Sequence, residues 1–405
     1  MHIVLVSREF LPARRYGGIG VFFTELSHAL SQLGHKVTVL CASDDTRTES
    51  VEQRENLTIH RLPGSDFCIE GIEGSLFISR IRSWVRQFTR YTSYRERLAE
   101  EIDSLIAKNN CDVVLCSEFG AEAITWAQRK RTIPLLVHLD GPTYLDRNTG
   151  QHAKFKFKSI YLKRIAADEY QMLRSADKIF SISHAMAKFV HYDACLQKEI
   201  SVIPNFIKYE EWQSSFSKEH KNRIFFAGTI IEGKGAFDLV SAVKILHAQG
   251  FNVSLRMAGR LSRAGEKLRK NLFNDNAFEF LGAISREALK KEYAEAALTC
   301  FPSWWEPFGI VCIEAMAAGA LVLMSNKGGG PEIIEDGVNG FLVDPQDPKR
   351  LAAKIAEIIR LPAEQKTMIR KRAQEDVLKK FDSSVVVPKF VELIENTIKN
   401  FKIRI

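Results

Sequence analysis

The chain has 405 residues, 45% of them hydrophobic and 26% charged, with 57 Lys and Arg against 49 Asp and Glu for a net charge of +8. The size suits two globular domains, and the basic balance favours anionic partners: phosphorylated small molecules, an acidic membrane surface or nucleic acid. The seven cysteines are odd in number and none has CxxC spacing, which argues against a disulfide framework or a zinc site and for buried, reduced thiols.

The beginning reads strand, loop, helix, strand. "HIVLV" is a short β-branched run, "FFTELSHALSQL" has helical period, Gly34 stops the helix, and "KVTVLCA" is a second buried strand. "MHIVLVS" is too short for a signal peptide, and no later run reaches the roughly 18 apolar residues of a membrane span. The chain is therefore expected to be cytoplasmic, at most peripheral on the inner face of a membrane. Further strands follow in "DVVLCS", "PLLVHLD", "KIFSIS" and "SVIPN".

The opening grammar returns at 224–259, where "RIFFAG" is a strand, "FDLVSAVKILHAQ" a helix stopped by Gly250, and "NVSLRMAG" another strand. "FEFLG", "LTCFPS", "LVLMS" and "GFLVD" continue the series. Strands apolar on both faces, alternating with helices, predict parallel sheets covered by helices. The break falls near "ISVIPNFIKYEEW". This gives an α/β chain of two doubly wound domains, residues 1–203 and 204–382, with a last helix over 383–405 packing back on the first. Ligand sites are expected in the loops after strands, in the cleft between the domains.

The segment "PSWWEPFGIVCIEAMAAGALVLMSNKGGGPEII" places two acids, Glu306 and Glu314, in apolar surroundings. An ionised carboxylate out of water costs several kcal/mol unless paired. Pro307 is a helix-starting residue, so Phe308–Gly309 is expected to open a helix whose N-terminus forms an anion site. Glu306 then lies just before that end and Glu314 roughly 8 Å further along, at about 1.5 Å per residue. Two acids so spaced suit a ligand with hydroxyls at both ends and phosphate between.

These residues resemble the retaining glycosyltransferases of family 4, which have the GT-B fold. The resemblance rests on the Glu–seven residues–Glu spacing of "EPFG…EAMAAG" and on "GGIGVFFTELSHALSQLGHKVTVL", "HLDGP", "PNF", "FFAG…GKG", "FLGAI" and "GGGPEIIEDGVNGFLVDP". It is weaker between residues 45 and 130. It implies that Glu306 contacts hydroxyls of the transferred sugar and Glu314 the ribose. The backbone of Phe308, Gly309, Ile310 and Val311 would cradle sugar and phosphates, Ile284 would meet the nucleobase, and Lys234 would hold the pyrophosphate. Gly17 and Gly18, in "YGGIG", would approach the donor phosphates closely. His138, with Asp140 as neighbour, would stand beside the sugar and acceptor. The donor would be a UDP- or GDP-sugar and the acceptor a glycan or lipid-linked glycan, with no metal and no cofactor. One departure stands out: Thr229 occupies the place of the family's donor-loop Arg, and Arg260, at the end of the next strand, is the candidate to replace it.

Other readings remain at this point. A nucleotide-sugar epimerase or phosphorylase could share the fold, as could a non-catalytic sugar or nucleotide binder. A NAD-dependent oxidoreductase would use Asp44–Asp45 for its ribose, but "YGGIG" lacks the third glycine of GxGxxG and starts some ten residues beyond the strand. Six Arg fall between Arg80 and Arg97, with Ile81, Trp84, Val85, Phe88 and Tyr91 at helical spacing, and six Lys or Arg fall between Arg147 and Arg164. Such basic helices either lie on an anionic membrane or face the core with a solvated basic side.

Overall fold

A computed structural model describes residues 1–404, apart from 13–16, 44–47, 65–76, 109–110, 142–155, 194–195 and 215–219; for 77–87, 156–162, 193 and 221 only the backbone is described. The first sheet contains β1 (His2–Val6), β2 (Lys36–Ala42), β3 (Ser50–Arg54), β4 (Leu57–Leu62), β5 (Val113–Ser117), β6 (Leu135–Leu139), β7 (Lys178–Ser181) and β8 (Ile200–Val202). The second contains β9 (His220–Ala227), β10 (Ser254–Ala258), β11 (Phe278–Gly282), β12 (Ala296–Phe301), β13 (Val322–Ser325) and β14 (Phe341–Val343). Their orders are β3-β4-β2-β1-β5-β6-β7-β8 and β11-β10-β9-β12-β13-β14.

Every pairing is parallel except β3 with β4. The reason is visible in the strands themselves. All five residues of β1, β5 and β6 are buried, so each strand needs a helix on both faces, and helical crossovers make neighbours parallel. The β3–β4 hairpin lies in the stretch 45–130 where the sequence pattern is weakest. In β3 four of five residues are exposed, as suits a short polar edge strand that discourages further pairing.

Both sheets reverse their order beside the central strands, β1 in the first and β9 in the second, so crevices open at the carboxyl ends there. The two ends meet: a Cβ added to Gly18 would stand 3.7 Å from Cδ1 of Ile310 in the other domain. One apolar cluster runs from Val4 and Val114 through Trp212 to Phe225, Phe308 and Phe381, which joins the sheets behind that cleft. The last helix, Ser383–Arg404, buries Val386, Val387, Phe390 and Ile394 against Phe22 and Phe180 of the first domain and Phe206 at the domain junction.

The expected basic helix forms over Phe77–Ala107, and its described side chains divide between core and surface. Tyr91 is buried, and Arg95 is buried in an ion pair with Asp168 at 2.7 Å. Phe88 and Arg90 are exposed. Residues 147–155 of the second basic segment lie outside the described residues.

Candidate active site

The loop after β12 carries the first acid. Glu306 lies in extended backbone rather than in a helix: it bridges Gly328 in parallel, and its carbonyl accepts Gly329 N–H at 2.8 Å. Its carboxylate accepts from Ser303 Oγ at 2.8 Å and pairs with Lys234 Nζ at 2.8 Å and 3.2 Å. Lys234 comes from the tight turn Glu232–Lys234 after β9. Gly235 closes that turn at φ +71, where a Cβ would stand 2.0 Å from the Pro302 carbonyl oxygen. Only glycine allows this approach, and it brings Lys234 onto the Glu306 loop. Trp304 fastens the same junction: its N–H donates to Gly233 O at 2.9 Å and its indole N–H to Asp238 at 2.8 Å.

The expected helix exists but starts later than the sequence predicts. It spans Ile310–Ala317 with Gly309 as N-cap at φ +113. Pro307 is therefore outside it, because the left-handed Gly309 makes the turn that Pro307 cannot. The Ile310 and Val311 N–H groups have no helical carbonyl to bond, as the geometry of any first turn requires. Glu314 sits on the buried side, 8% exposed. Burial pushes its carboxyl up to about 7, against partial relief from Arg286 and a further rise from Glu25 across the cleft. Ile284, half-buried after β11, packs against the same apolar cluster.

Thr229 and Arg260 are brought side by side. Ala258 pairs in register with Ala227, the bridge Ile230–Leu261 continues that register, and Ile230 N–H donates to Arg260 O at 2.8 Å. Arg260 thus stands opposite the residue it was expected to replace, and it is exposed.

On the first-domain side, Gly17 N–H donates to Glu9 Oε2 at 2.6 Å and Gly18 opens the helix Gly18–Gln32. Tyr16 and Asp44–Asp45 lie outside the described residues. His138, expected beside the sugar and acceptor, lies near the carboxyl end of β6. Its ring is wholly buried, stacked between Phe22 at 4.2 Å and Phe180 at 4.6 Å, with Nδ1 3.1 Å from Asp140 Oδ2. Among the described residues no hydrogen bond or ion pair joins it to Lys234 or Glu306. Both ring nitrogens are buried without a hydrogen-bond partner among the described residues.

Two acids that sequence reasoning missed lie beneath this face. Glu118 accepts N–H groups from Asp140 at 2.9 Å and Gly141 at 2.7 Å; burial, then the Asp140 carboxylate, holds it well above the ordinary range. Glu122 lines a narrow cleft with Ser7, Arg8 and Phe119, and burial raises it to about 7, with Arg8 and Arg95 opposing. "SEF" and "GAEA" gave no periodic signal that would separate these acids from surface residues. Among the described residues no group of three His, Cys, Asp or Glu is placed to hold a metal ion.

The fold and this site define a class. Residues 16–211 match the family model for Glycosyltransferase Family 4, and residues 208–376 that for Glycosyl transferases group 1. The chain belongs to the family 4 glycosyltransferases of GT-B fold, which sets aside the oxidoreductase alternative. It is similar to an MMP alpha-(1->4)-mannosyltransferase of Mycolicibacterium hassiacum, 25% identical with 90% of each chain covered. It is also similar to a glycogen synthase of Mycobacterium tuberculosis, 25% identical over 90% of this chain and 87% of that one. Among solved structures, sucrose-phosphate synthase from Thermosynechococcus elongatus superposes with a TM-score of 0.75 at 19% identity, covering 98% and 99% of the two chains. Anabaena HepE in complex with UDP and glucose gives 0.68 at 19% identity, covering 97% and 99%.

Glu314 has a consequence for stability. A carboxyl held at about 7 when folded, against an ordinary 4.5, favours the folded state at low pH and loses that advantage as pH rises through about 7. The difference is on the order of 3 kcal/mol. Glu314→Gln, which stays neutral, is expected to gain on the wild type between pH 5 and pH 8 in urea unfolding. The difference between the two proteins is the readout, because His2, held down to about 4 by burial, titrates with the opposite sign. A gap that stays constant with pH would refute the assignment.

Proposed function

We propose that the protein transfers a sugar from a UDP- or GDP-sugar to a hydroxyl of a glycan or lipid-linked glycan, with retention of the anomeric configuration, in polysaccharide synthesis in the cytoplasm. The observation that carries this is the Lys234–Glu306 pair at 2.8 Å, set just before the N-terminus of Ile310–Ala317. A diphosphate suits that seat. Its charge would take Lys234 from Glu306 and lie against the N–H groups of Ile310 and Val311, a helix end that favours anions. The released Glu306 would accept hydroxyls of the sugar, and Glu314 those of the ribose, with Ile284 beside the base. Gly17 and Gly18 would close on the phosphates from the first domain.

In this reading the chemistry is metal-independent and needs no cofactor. As the sugar–phosphate bond breaks, charge grows on the departing diphosphate, where Lys234 and the helix end are already placed to meet it. A phosphate oxygen of the donor would take the acceptor proton. His138, with Asp140 as neighbour, would stand beside the sugar and the acceptor. The names of the relatives support the donor and acceptor classes: HepE was solved with UDP-glucose, and the glycogen synthase and mannosyltransferase act on sugars.

The direct test is nucleoside diphosphate release from a panel of UDP- and GDP-sugars, with and without glycan acceptors. Acceptor-dependent release supports transfer. An epimerised donor without release would replace the reading by the epimerase one. Within the same assay Glu306→Ala should lower kcat with little change in donor KM, whereas Glu314→Ala should raise donor KM. Unchanged kinetics in either variant would remove its role.

Arg260 would share the diphosphate with Lys234, in place of the absent Arg at Thr229. Charge-assisted hydrogen bonds to phosphate are roughly twice as strong as neutral ones. Arg260→Ala should therefore weaken a nucleoside diphosphate about ten-fold (~1.4 kcal/mol) and the nucleoside hardly at all, by calorimetry. Equal losses for both would mean that Arg260 does not reach the phosphates.

The first domain is further proposed to rest on an anionic membrane to reach a lipid-linked acceptor, through the exposed Phe88 and Arg90. No described helix is long and apolar enough to cross a membrane, so the contact would be peripheral. Flotation with vesicles should favour phosphatidylglycerol over phosphatidylcholine; equal recovery would exclude it.

A further inference from the structure

The helix His184–Asp193, which follows β7, has its first N–H groups satisfied in an unusual way. Every helix leaves its first N–H groups without helical carbonyls, and a polar N-cap side chain usually takes one. Ser183 does so here, its Oγ accepting Met186 N–H at 3.0 Å. The next two donors turn to the other domain. His184 N–H and Ala185 N–H donate to Oε2 and Oε1 of Glu332, each at 2.8 Å.

The same helix touches the Glu306 loop twice more. The Ser183 hydroxyl donates to Pro307 O at 2.6 Å, and the Phe189 ring lies 5.7 Å from that of Trp305. Trp305 and Pro307 are the two neighbours of Glu306. Glu332 itself stands on the short helix Gly330–Ile333, directly after the glycines that back Glu306. One carboxylate thus spans the cleft from the segment behind the sugar-side acid to the first domain.

We propose that Glu332 is a positioning residue that couples domain closure to the placement of Glu306. With the cleft closed it caps the first-domain helix, and Ser183 and Phe189 then hold the backbone on either side of Glu306 in register with the first domain. With the cleft open, both the carboxylate and the two N–H groups return to water, so the latch can release product. The kinetic part of this inference rests on the transfer reading above; the structural part does not.

Two variants test it. Glu332→Ala removes the acceptor. His184→Pro removes one donor only, and proline is well tolerated at the first helical position. In small-angle scattering of the ligand-free protein both should show a larger radius of gyration than the wild type, with Glu332→Gln in between. Melting temperatures should change little. UDP and GDP affinities should fall by no more than a few-fold, because all their proposed contacts except Gly17 and Gly18 are on the second domain, while transfer kcat falls roughly ten- to hundred-fold through misplacement of the reacting groups. A scattering profile of Glu332→Ala identical to wild type would overturn the proposal, as would a loss of nucleoside diphosphate affinity equal to the loss in kcat. If the wild type transfers from no donor, the functional reading fails and the scattering comparison alone still decides the latch.

Discussion

The site depends on one backbone-to-backbone contact. Gly328 lies at φ +80 against the strand-like segment at Glu306, so close that a Cβ would stand 2.0 Å from the Glu306 carbonyl oxygen; a Cβ on Gly329 would stand 2.8 Å from Phe308 Cα. No side chain could be accommodated without moving the loop. This contact fixes where Glu306 emerges, where Gly309 can turn into its helix, and therefore how the helix N-terminus, Lys234 and Glu314 stand to one another. It also sets where Glu332 points. Closure of the cleft and shaping of the donor seat are consequences of the same packed glycines.

The electrostatics follow from that frame. Lys234 is paired with Glu306, so it is not a lone cation that would have to be desolvated by itself. A diphosphate exchanges one partner for another instead of meeting an unpaired cation. Glu314 behaves differently. Among the described residues it has no cation at hydrogen-bond distance, and burial raises it to about 7, so near neutrality it can accept or donate to a hydroxyl. The two acids of the signature thus have distinct surroundings: one paired with Lys234, one buried and poised.

The sequence showed the architecture because parallel sheets write themselves as apolar runs. β1, β2, β5 and β6, and β9, β10 and β12 in the second half, all stood out as such runs, and the fold matches. The β3–β4 hairpin did not, since its outer strand is polar and mostly exposed. Within the site, Glu306 and Glu314 were visible as acids in an apolar stretch. The later helix start was not, because the turn is made by the positive φ of Gly309, which composition does not reveal. His138 was visible as a histidine at a strand end, but the Phe22 and Phe180 rings that flank it were not. Spacing placed Tyr91 and the arginines on a helix but left both sides open; Tyr91 and Arg95 face the core. Glu118 and Glu122 gave no local signal at all, and Glu332, though inside the matched "GGGPEIIEDGVNGFLVDP", gave no sign of its partners, which lie on a distant segment.

The central claim is that a nucleoside diphosphate takes Lys234 from Glu306. The most direct measurement is the melting temperature of wild type and Lys234→Met with UDP, GDP, ADP and NAD. At one hundred times its Kd a bound ligand adds about 2.7 kcal/mol of stability, which is a readily measured rise. The account predicts that UDP or GDP raises the wild-type midpoint, that NAD does not, and that Lys234→Met loses most of the rise. A wild type indifferent to every nucleoside diphosphate, or a Lys234→Met protein stabilised as much as the wild type, would contradict it.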